Sequence, residues 1–228
     1  HYDWALELSY FKTINKTGAD EMAYHLMNPR FTSYHQIQQL NQYIDNIYKQ
    51  GTLTKQNKGS VLIPYTRIGH IPSAVMIGIG RILQLPYHII FILGRWINLI
   101  VYALVIYRAL CKLKTGRVIM AIIALFPTSM FVATNYSYDW WVSCFTMLGL
   151  AYLLSEIQQS QKKLTLKEIL IMVGAFVLGL GPKAIYFPLL VLLLFIKADK
   201  FQDKQLLRTY RILVMSAIII VCGSFMLP

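Results

Sequence analysis

Acidic residues are scarce in this chain: ten Asp and Glu stand against 22 Lys and Arg. Between Asp45 and Glu156 there is a single one, Asp139. Cysteine is rarer still. Cys111, Cys144 and Cys222 lie in or beside apolar runs without C-x-x-C spacing, which excludes a disulfide framework and a cysteine-ligated zinc site. The five histidines do not fall at metal-ligand spacing, and His25 and His35 read as solvated. The chain has no G-x-S-x-G, no H-E-x-x-H, and no phosphate loop ending in Gly-Lys-Ser or Gly-Lys-Thr. Gly78-Ile79-Gly80 lacks the third glycine and the preceding strand of a dinucleotide loop.

What the chain has instead is apolar length. Hydrophobic residues make up 56%, the mean hydropathy is +0.49, and only 14% are charged, which places it among membrane proteins. Residues 1–70 read as a water-soluble, extracytoplasmic loop region, and 71–228 as a transmembrane helical region. The chain starts at His1 rather than Met and stops inside an apolar run, so it reads as a piece of something longer. A net charge of +12 invites a nucleic-acid partner, but the positions argue against one. Arg108, Lys112, Lys114 and Arg117, then Lys162, Lys163 and Lys167, then Lys197, Lys200, Lys204, Arg208 and Arg211 all flank apolar runs. That is the pattern of cytoplasmic loops.

In chain order, residues 1–14 predict a short helix with Trp4, Leu8 and Phe11 on one side. Ile37, Leu40, Ile44 and Ile47 give one apolar face to a helix over 34–50, and 52–60 reads as an exposed loop. Residues 71–85 predict a helix that Ser73 caps after Pro72, about 22 Å long and carrying Arg81. That length is short of a ~30 Å core, so it is expected to lie in the interface. Residues 87–110 form a full span, with Arg95 and Asn98 three apart on one face of its outer half. An Arg at that depth faces the bundle interior, snorkels outward, or binds an anion.

Residues 118–134 are expected to return outward as one helix kinked at Pro127, and 140–157 to run inward. Between them, Asn135-Tyr136-Ser137-Tyr138-Asp139-Trp140-Trp141 reads as the tight outer turn of a membrane hairpin, its aromatics suited to a membrane–water boundary. Asn15-Lys16-Thr17 and Asn135-Tyr136-Ser137 also match the N-glycosylation pattern, a match common by chance. Residues 169–181 and 185–196 are about 20 and 18 Å as helices, each too short to cross upright. Read as one kinked span, they would leave the basic residues 197–211 outside. Read as a hairpin of two short helices, they return those residues inside and put Lys183 at the outer tip. The hairpin is the expectation, with 212–227 a further outward span. The fold class is therefore an all-α polytopic membrane protein with an outer helical region, an interfacial helix and about six apolar segments, two of them short.

This leaves a one-sided set of polar groups: the carboxylate Asp139, the cations Lys183 and Arg95, and many tyrosines at the outer leaflet. Cations at that depth suit a lipid phosphate or pyrophosphate. A carboxylate beside them could act as base, divalent-metal ligand or hydroxyl acceptor, so a divalent metal is the cofactor to look for.

Gly94-Arg95-Trp96-Ile97-Asn98, Leu125-Phe126-Pro127 running on to Tyr136-Ser137-Tyr138-Asp139, and Gly181-Pro182-Lys183 with Tyr186-Phe187-Pro188 resemble the bacterial membrane proteins of domain of unknown function 2142. The resemblance covers most of residues 61–200. That family is similar to the C-type glycosyltransferases (GT-C), which move sugars from polyprenyl-phosphate carriers at the outer face of the cytoplasmic membrane. The resemblance implies a GT-C-like bundle with membrane lipid and a polyprenyl-phosphate sugar donor as partners, and no nucleic acid. It makes Lys183 similar to a lysine held near the carrier phosphate between two short helices. His1-Tyr2 resembles a His-aromatic pair that follows the catalytic acids in the first outer loop. The main acid is then expected upstream of His1, with Asp139 accessory and Lys183, Arg95, Asn98, Tyr138 and His1 toward substrate.

Two other readings stand beside this glycosyltransferase. A transporter or flippase of lipid-linked saccharides should carry polar residues through successive spans, often in repeats. No repeat is present, and the polar residues crowd the outer side. A non-catalytic scaffold of envelope assembly is the third.

Overall fold

The computed structural model describes residues 2–10, 34–49, 65–159 and 161–226. The loop expected at 52–60, the glycosylation pattern at Asn15, and His1, His25 and Phe11 lie outside them. Packing divides the described residues into two units. One comprises those of 1–100 with Ala133–Ser137, the other Val101–Val132 with those of Tyr138–Pro228.

The first unit holds α1 (Tyr2–Tyr10), α2 (Tyr34–Lys49), a 3-10 segment (Tyr65–His70), α3 (Ile71–Ile82) and the first part of α4 (Tyr87–Lys112). The buried residues of α1 are Tyr2, Ala5, Leu6, Glu7 and Leu8, with Trp4 only half-buried. Leu8 is thus buried as predicted, Trp4 of the same expected face is only half-buried, and Glu7, expected on another side, is buried as well. Ile44 of α2 is buried as expected, while Ile37 is exposed.

Charge fixes how these pieces meet. Asp45 accepts the Tyr87 backbone N–H at 2.8 Å, so α2 supplies the carboxylate that the start of α4 wants. Glu7, 3% exposed, pairs with Arg67 at 3.1 Å, and the Arg67 guanidinium lies 5.1 Å from the Trp4 ring centre. Arg81 donates to the Ser9 carbonyl. The Ser73 hydroxyl does not cap α3. His70 occupies the cap position without a side-chain capping bond, and the buried Ser73 turns to Asn98 instead. Ile71, Val75, Ile79 and Ile82 leave an exposed apolar stripe on α3, the face that an interfacial helix turns to lipid.

Tyr2, Phe91 and Tyr136 stack edge-on and tilted, with ring centres 4.8 to 5.0 Å apart. The Tyr136 hydroxyl donates to the Phe91 carbonyl at 2.7 Å. Burial pushes its pKa far above the ordinary phenol value, against a smaller opposing pull from Arg95, so it stays protonated. Gly94 makes this fit: a Cβ there would sit 2.2 Å from the Tyr136 oxygen. Gly94→Ala is therefore expected to destabilise by about 2 kcal/mol even though Ala is the better helix former. Gly174→Ala, where a Cβ meets nothing within 4 Å, should be neutral or stabilising. Thermal unfolding of both variants in detergent checks this; equal midpoints would dismiss the fit.

The second unit holds the rest of α4, then α5 (Arg117–Ala124), α6 (Pro127–Ala133), α7 (Asp139–Gln158), α8 (Leu166–Leu180), a 3-10 segment (Gly181–Tyr186), α9 (Pro188–Val191), a 3-10 segment (Leu192–Phe195) and α10 (Lys204–Met226). Among the described residues, Tyr87–Lys112, Asp139–Gln158, Leu166–Tyr186 and Lys204–Gly223 are long and apolar enough to cross a membrane. The protein is an all-α polytopic membrane protein.

Two of the expected segments differ from the sequence reading. Residues 118–134 are two helices broken at Leu125-Phe126, not one kinked span. Pro127 has no N–H to give and disfavours helix in the residue before it, so it starts α6 instead of bending α5. Carbonyls at the end of α5 are taken up by side chains: Tyr102 donates to Ala124 at 2.8 Å and Ser129 to Ile123 at 2.9 Å.

Residues 185–196 are the other case, a chain of short 3-10 and α turns instead of a helix. A 3-10 turn rises about 2.0 Å per residue against 1.5 Å in an α-helix, so a shorter sequence matches the length of α8. The limb does return: the Leu164 N–H donates to the Lys200 carbonyl at 2.8 Å, so the segment folds as a hairpin. Tyr210 of α10 donates to the Leu193 carbonyl at 2.5 Å and holds that limb.

The helices α7 and α8 approach closely because glycines face the contact. A Cβ on Gly149 would be 2.8 Å from the Phe176 ring, and one on Gly179 2.9 Å from the Thr146 backbone nitrogen. Thr165-Leu166-Lys167-Glu168 starts α8 with a full capping box.

Candidate functional site

In the second unit, polar groups gather at both ends of α7. That helix has 20 residues, so its ends lie about 30 Å apart. At its C-terminal end, Lys112 donates to Glu156 at 2.9 Å and to Glu168 at 2.7 Å, and Lys162 also pairs with Glu168. Gln158 accepts from the Thr115 backbone N–H, and Lys163 and Lys200 donate to carbonyls of the facing loops. All three basic loops therefore meet at one end of this unit.

At the other end, Asp139 begins α7, and its Oδ1 accepts from Lys183 Nζ at 2.9 Å. A carboxylate in the first turn sits in the favourable field of the helix N-terminus. Lys183 has φ −139° and ψ 64°, a break in the turns around it, while Gly181, Pro182 and Ala184 are buried. Fixed backbone thus presents a side chain that is 38% exposed beside an Asp139 that is 42% exposed. The Lys183 nitrogen also lies 5.8 Å from the Tyr186 ring centre. An ion pair this open contributes only ~0–1 kcal/mol to stability. It is a cation with an easily exchanged counter-ion.

Two more of the expected set, Arg95 and Asn98, belong to the first unit. Arg95 Nε donates to the Thr134 carbonyl at 2.5 Å and lines a cavity of about 330 Å³ with Ile92, Trp96, Leu99 and Thr134. Asn98, 1% exposed, accepts from Ser73 at 2.7 Å and donates to the Asn135 carbonyl at 2.9 Å. Tyr138 is half-buried at the cap position of α7. His1 lies outside the described residues. No group of three or more His, Cys, Asp or Glu gathers as a metal site among the described residues.

The network of Lys112, Glu156, Glu168 and Lys162 is absent from the sequence reading. Its signal was the capping box, since Glu168 serves both the box and Lys112. The bond from Trp141 Nε1 to the Leu178 carbonyl at 2.9 Å, which ties the start of α7 to the end of α8, had no signal in the sequence.

A family profile described as predicted membrane protein, domain of unknown function 2142, matches residues 25–227. The chain belongs to that family. No curated protein and no solved structure matches it. As a member of the domain of unknown function 2142 family it is an integral membrane protein in contact with lipid. Its family match takes in Arg95, Asn98, Tyr138, Asp139 and Lys183.

Proposed function

We propose that this family member is a glycosyltransferase of the bacterial cytoplasmic membrane that binds a polyprenyl-phosphate sugar donor at its outer face through Lys183. The observation that carries this reading is the half-exposed Asp139–Lys183 pair at 2.9 Å, set at the end of its unit opposite the three basic loops. By the positive-inside rule the basic loops are cytoplasmic, so the pair and residues 1–70 face outward. Lys183 presents an ammonium on a rigid, irregular turn. A carrier phosphate exchanges with Asp139 as its partner, and a partly dry setting strengthens that contact.

In the transfer, an acceptor hydroxyl oxygen attacks the sugar's anomeric carbon. The bond from that carbon to the carrier phosphate oxygen breaks, and its electron pair leaves on the phosphate, where Lys183 stabilises the charge. The hydroxyl proton passes to a carboxylate. The resemblance implies an acid ahead of His1 as that base, with Asp139 accessory, guiding the acceptor once Lys183 has turned to phosphate.

Lys183→Ala is expected to weaken binding of a polyprenyl-phosphate donor by roughly 10- to 150-fold, the worth of one charge-assisted hydrogen bond. Lys163→Ala, at the opposite end, should leave it unchanged. Asp139→Asn removes the competing counter-ion, so donor binding should hold or tighten while sugar transfer falls. Donor titration and product formation with the intact protein measure both. Equal donor affinity in the Lys183 and Lys163 variants removes the phosphate role, and movement of lipid-linked sugar across vesicles without transfer replaces the enzyme with a transporter.

A further inference from the structure

A second cavity, of about 340 Å³, lies at the end of the second unit where the basic loops meet. Its apolar wall is Ile157, Phe195 and Ile196, and its polar wall is Glu156, Lys197, Asp199 and Lys200. Glu156 is 1% exposed. Its Oε1 receives Lys112 and lies 3.6 Å from Lys162, while its Oε2 has no hydrogen-bond partner. A buried carboxylate oxygen left unpaired is costly and calls for a donor. The cavity's own cations do not supply one. Lys200 is turned to the carbonyls of Gln159 and Lys162, and Lys197 is exposed at the rim.

The lining thus asks for two things at once. Glu156 and Asp199 want an N–H donor of positive charge, and Lys197 with the remaining proton of Lys200 wants an anion. Phe195 and Ile157 are exposed apolar groups at the level where the second hairpin limb passes from Leu192-Leu193-Leu194 to Lys197. That is the boundary between acyl chains and headgroups. We propose that this cavity binds the headgroup of an ethanolamine phospholipid from the leaflet facing the basic loops. The ammonium donates to Glu156 Oε2, the phosphate sits on Lys197 and Lys200, and an acyl chain lies along Ile157 and Phe195. Nearby Lys162 and Lys163 attract any anionic lipid, but two carboxylates in the lining disfavour one without an ammonium.

The test is lipid binding by the intact purified protein, read by native mass spectrometry across headgroups on identical acyl chains. Phosphatidylethanolamine should bind about 10-fold more tightly than phosphatidylcholine, whose quaternary nitrogen has no N–H, with the N,N-dimethyl lipid between them. Glu156→Gln should reduce that preference to about threefold or less, and Lys197→Ala should weaken both lipids alike. The wild-type headgroup series stands even if the Glu156 variant fails to fold. Equal binding of ethanolamine and choline lipids would overturn the proposal, and so would tighter binding of phosphatidylglycerol, which leaves a basic surface only.

Discussion

Lys112→Met should lower the unfolding free energy by about 3–5 kcal/mol, the usual consequence of breaking one side of a buried ion network. Lys112 donates a hydrogen bond to both Glu156 and Glu168, and its ammonium also lies 4.7 Å from the Tyr152 ring centre. Met keeps the apolar stem but strands Glu156, whose remaining cation, Lys162, is 3.6 Å away and 39% exposed. A methionine in its place leaves one buried carboxylate nearly bare. Adding Glu156→Gln to the variant removes that charge, so the double variant should recover more than half of the loss. Unfolding in a mild detergent, followed by helical circular dichroism, measures both. A single variant within ~0.5 kcal/mol of wild type would mean that water, not Lys112, solvates the carboxylates.

The second large effect is expected at Asn98. Its amide joins the Ser73 hydroxyl to the Asn135 carbonyl, and all three residues are buried. Asn98→Ala leaves a donor and an acceptor unsatisfied at ~1–3 kcal/mol each, so a loss of about 2–6 kcal/mol is expected. Ser73→Ala should cost less, because Asn98 keeps its bond to Asn135. In the double variant the losses should fall short of their sum by at least ~0.5 kcal/mol, as groups in one network do. Additive losses would show that Ser73 and Asn98 act separately. Asn135, which opens the Asn-Tyr-Ser pattern, is itself 9% exposed in this bracket.

The family member's membrane character and most of its helices were legible because bilayer length and apolar composition are local properties. Tyr87–Lys112 and Asp139–Gln158 follow from apolar runs bounded by Pro86 and a charged loop at one end or by Tyr138 and a Gln-rich loop at the other. The hairpin at Gly181–Tyr186 was legible from charge, since the basic residues after it belong on the side of the other basic loops. The identity of its second limb was not. Whether a short apolar run adopts α or 3-10 turns depends on what it must reach, and here it must reach Leu164 from the far end of α8.

The candidate site divides in the same way. Sequence alone determined that Asp139 and Lys183 are isolated charges beside apolar helices, because a lone charge in an apolar run is visible without coordinates. Only the tertiary structure decided that they pair, that Asn98 is a buried bracket, and that Lys112 binds two carboxylates 44 and 56 residues away. Such pairings join residues far apart in the chain. Hydrophobic period sets which face of a helix turns inward, but it does not say which neighbour that face meets. The neighbour is chosen by close approach, at Gly94, Gly149 and Gly179, where the absence of a side chain lets another group in.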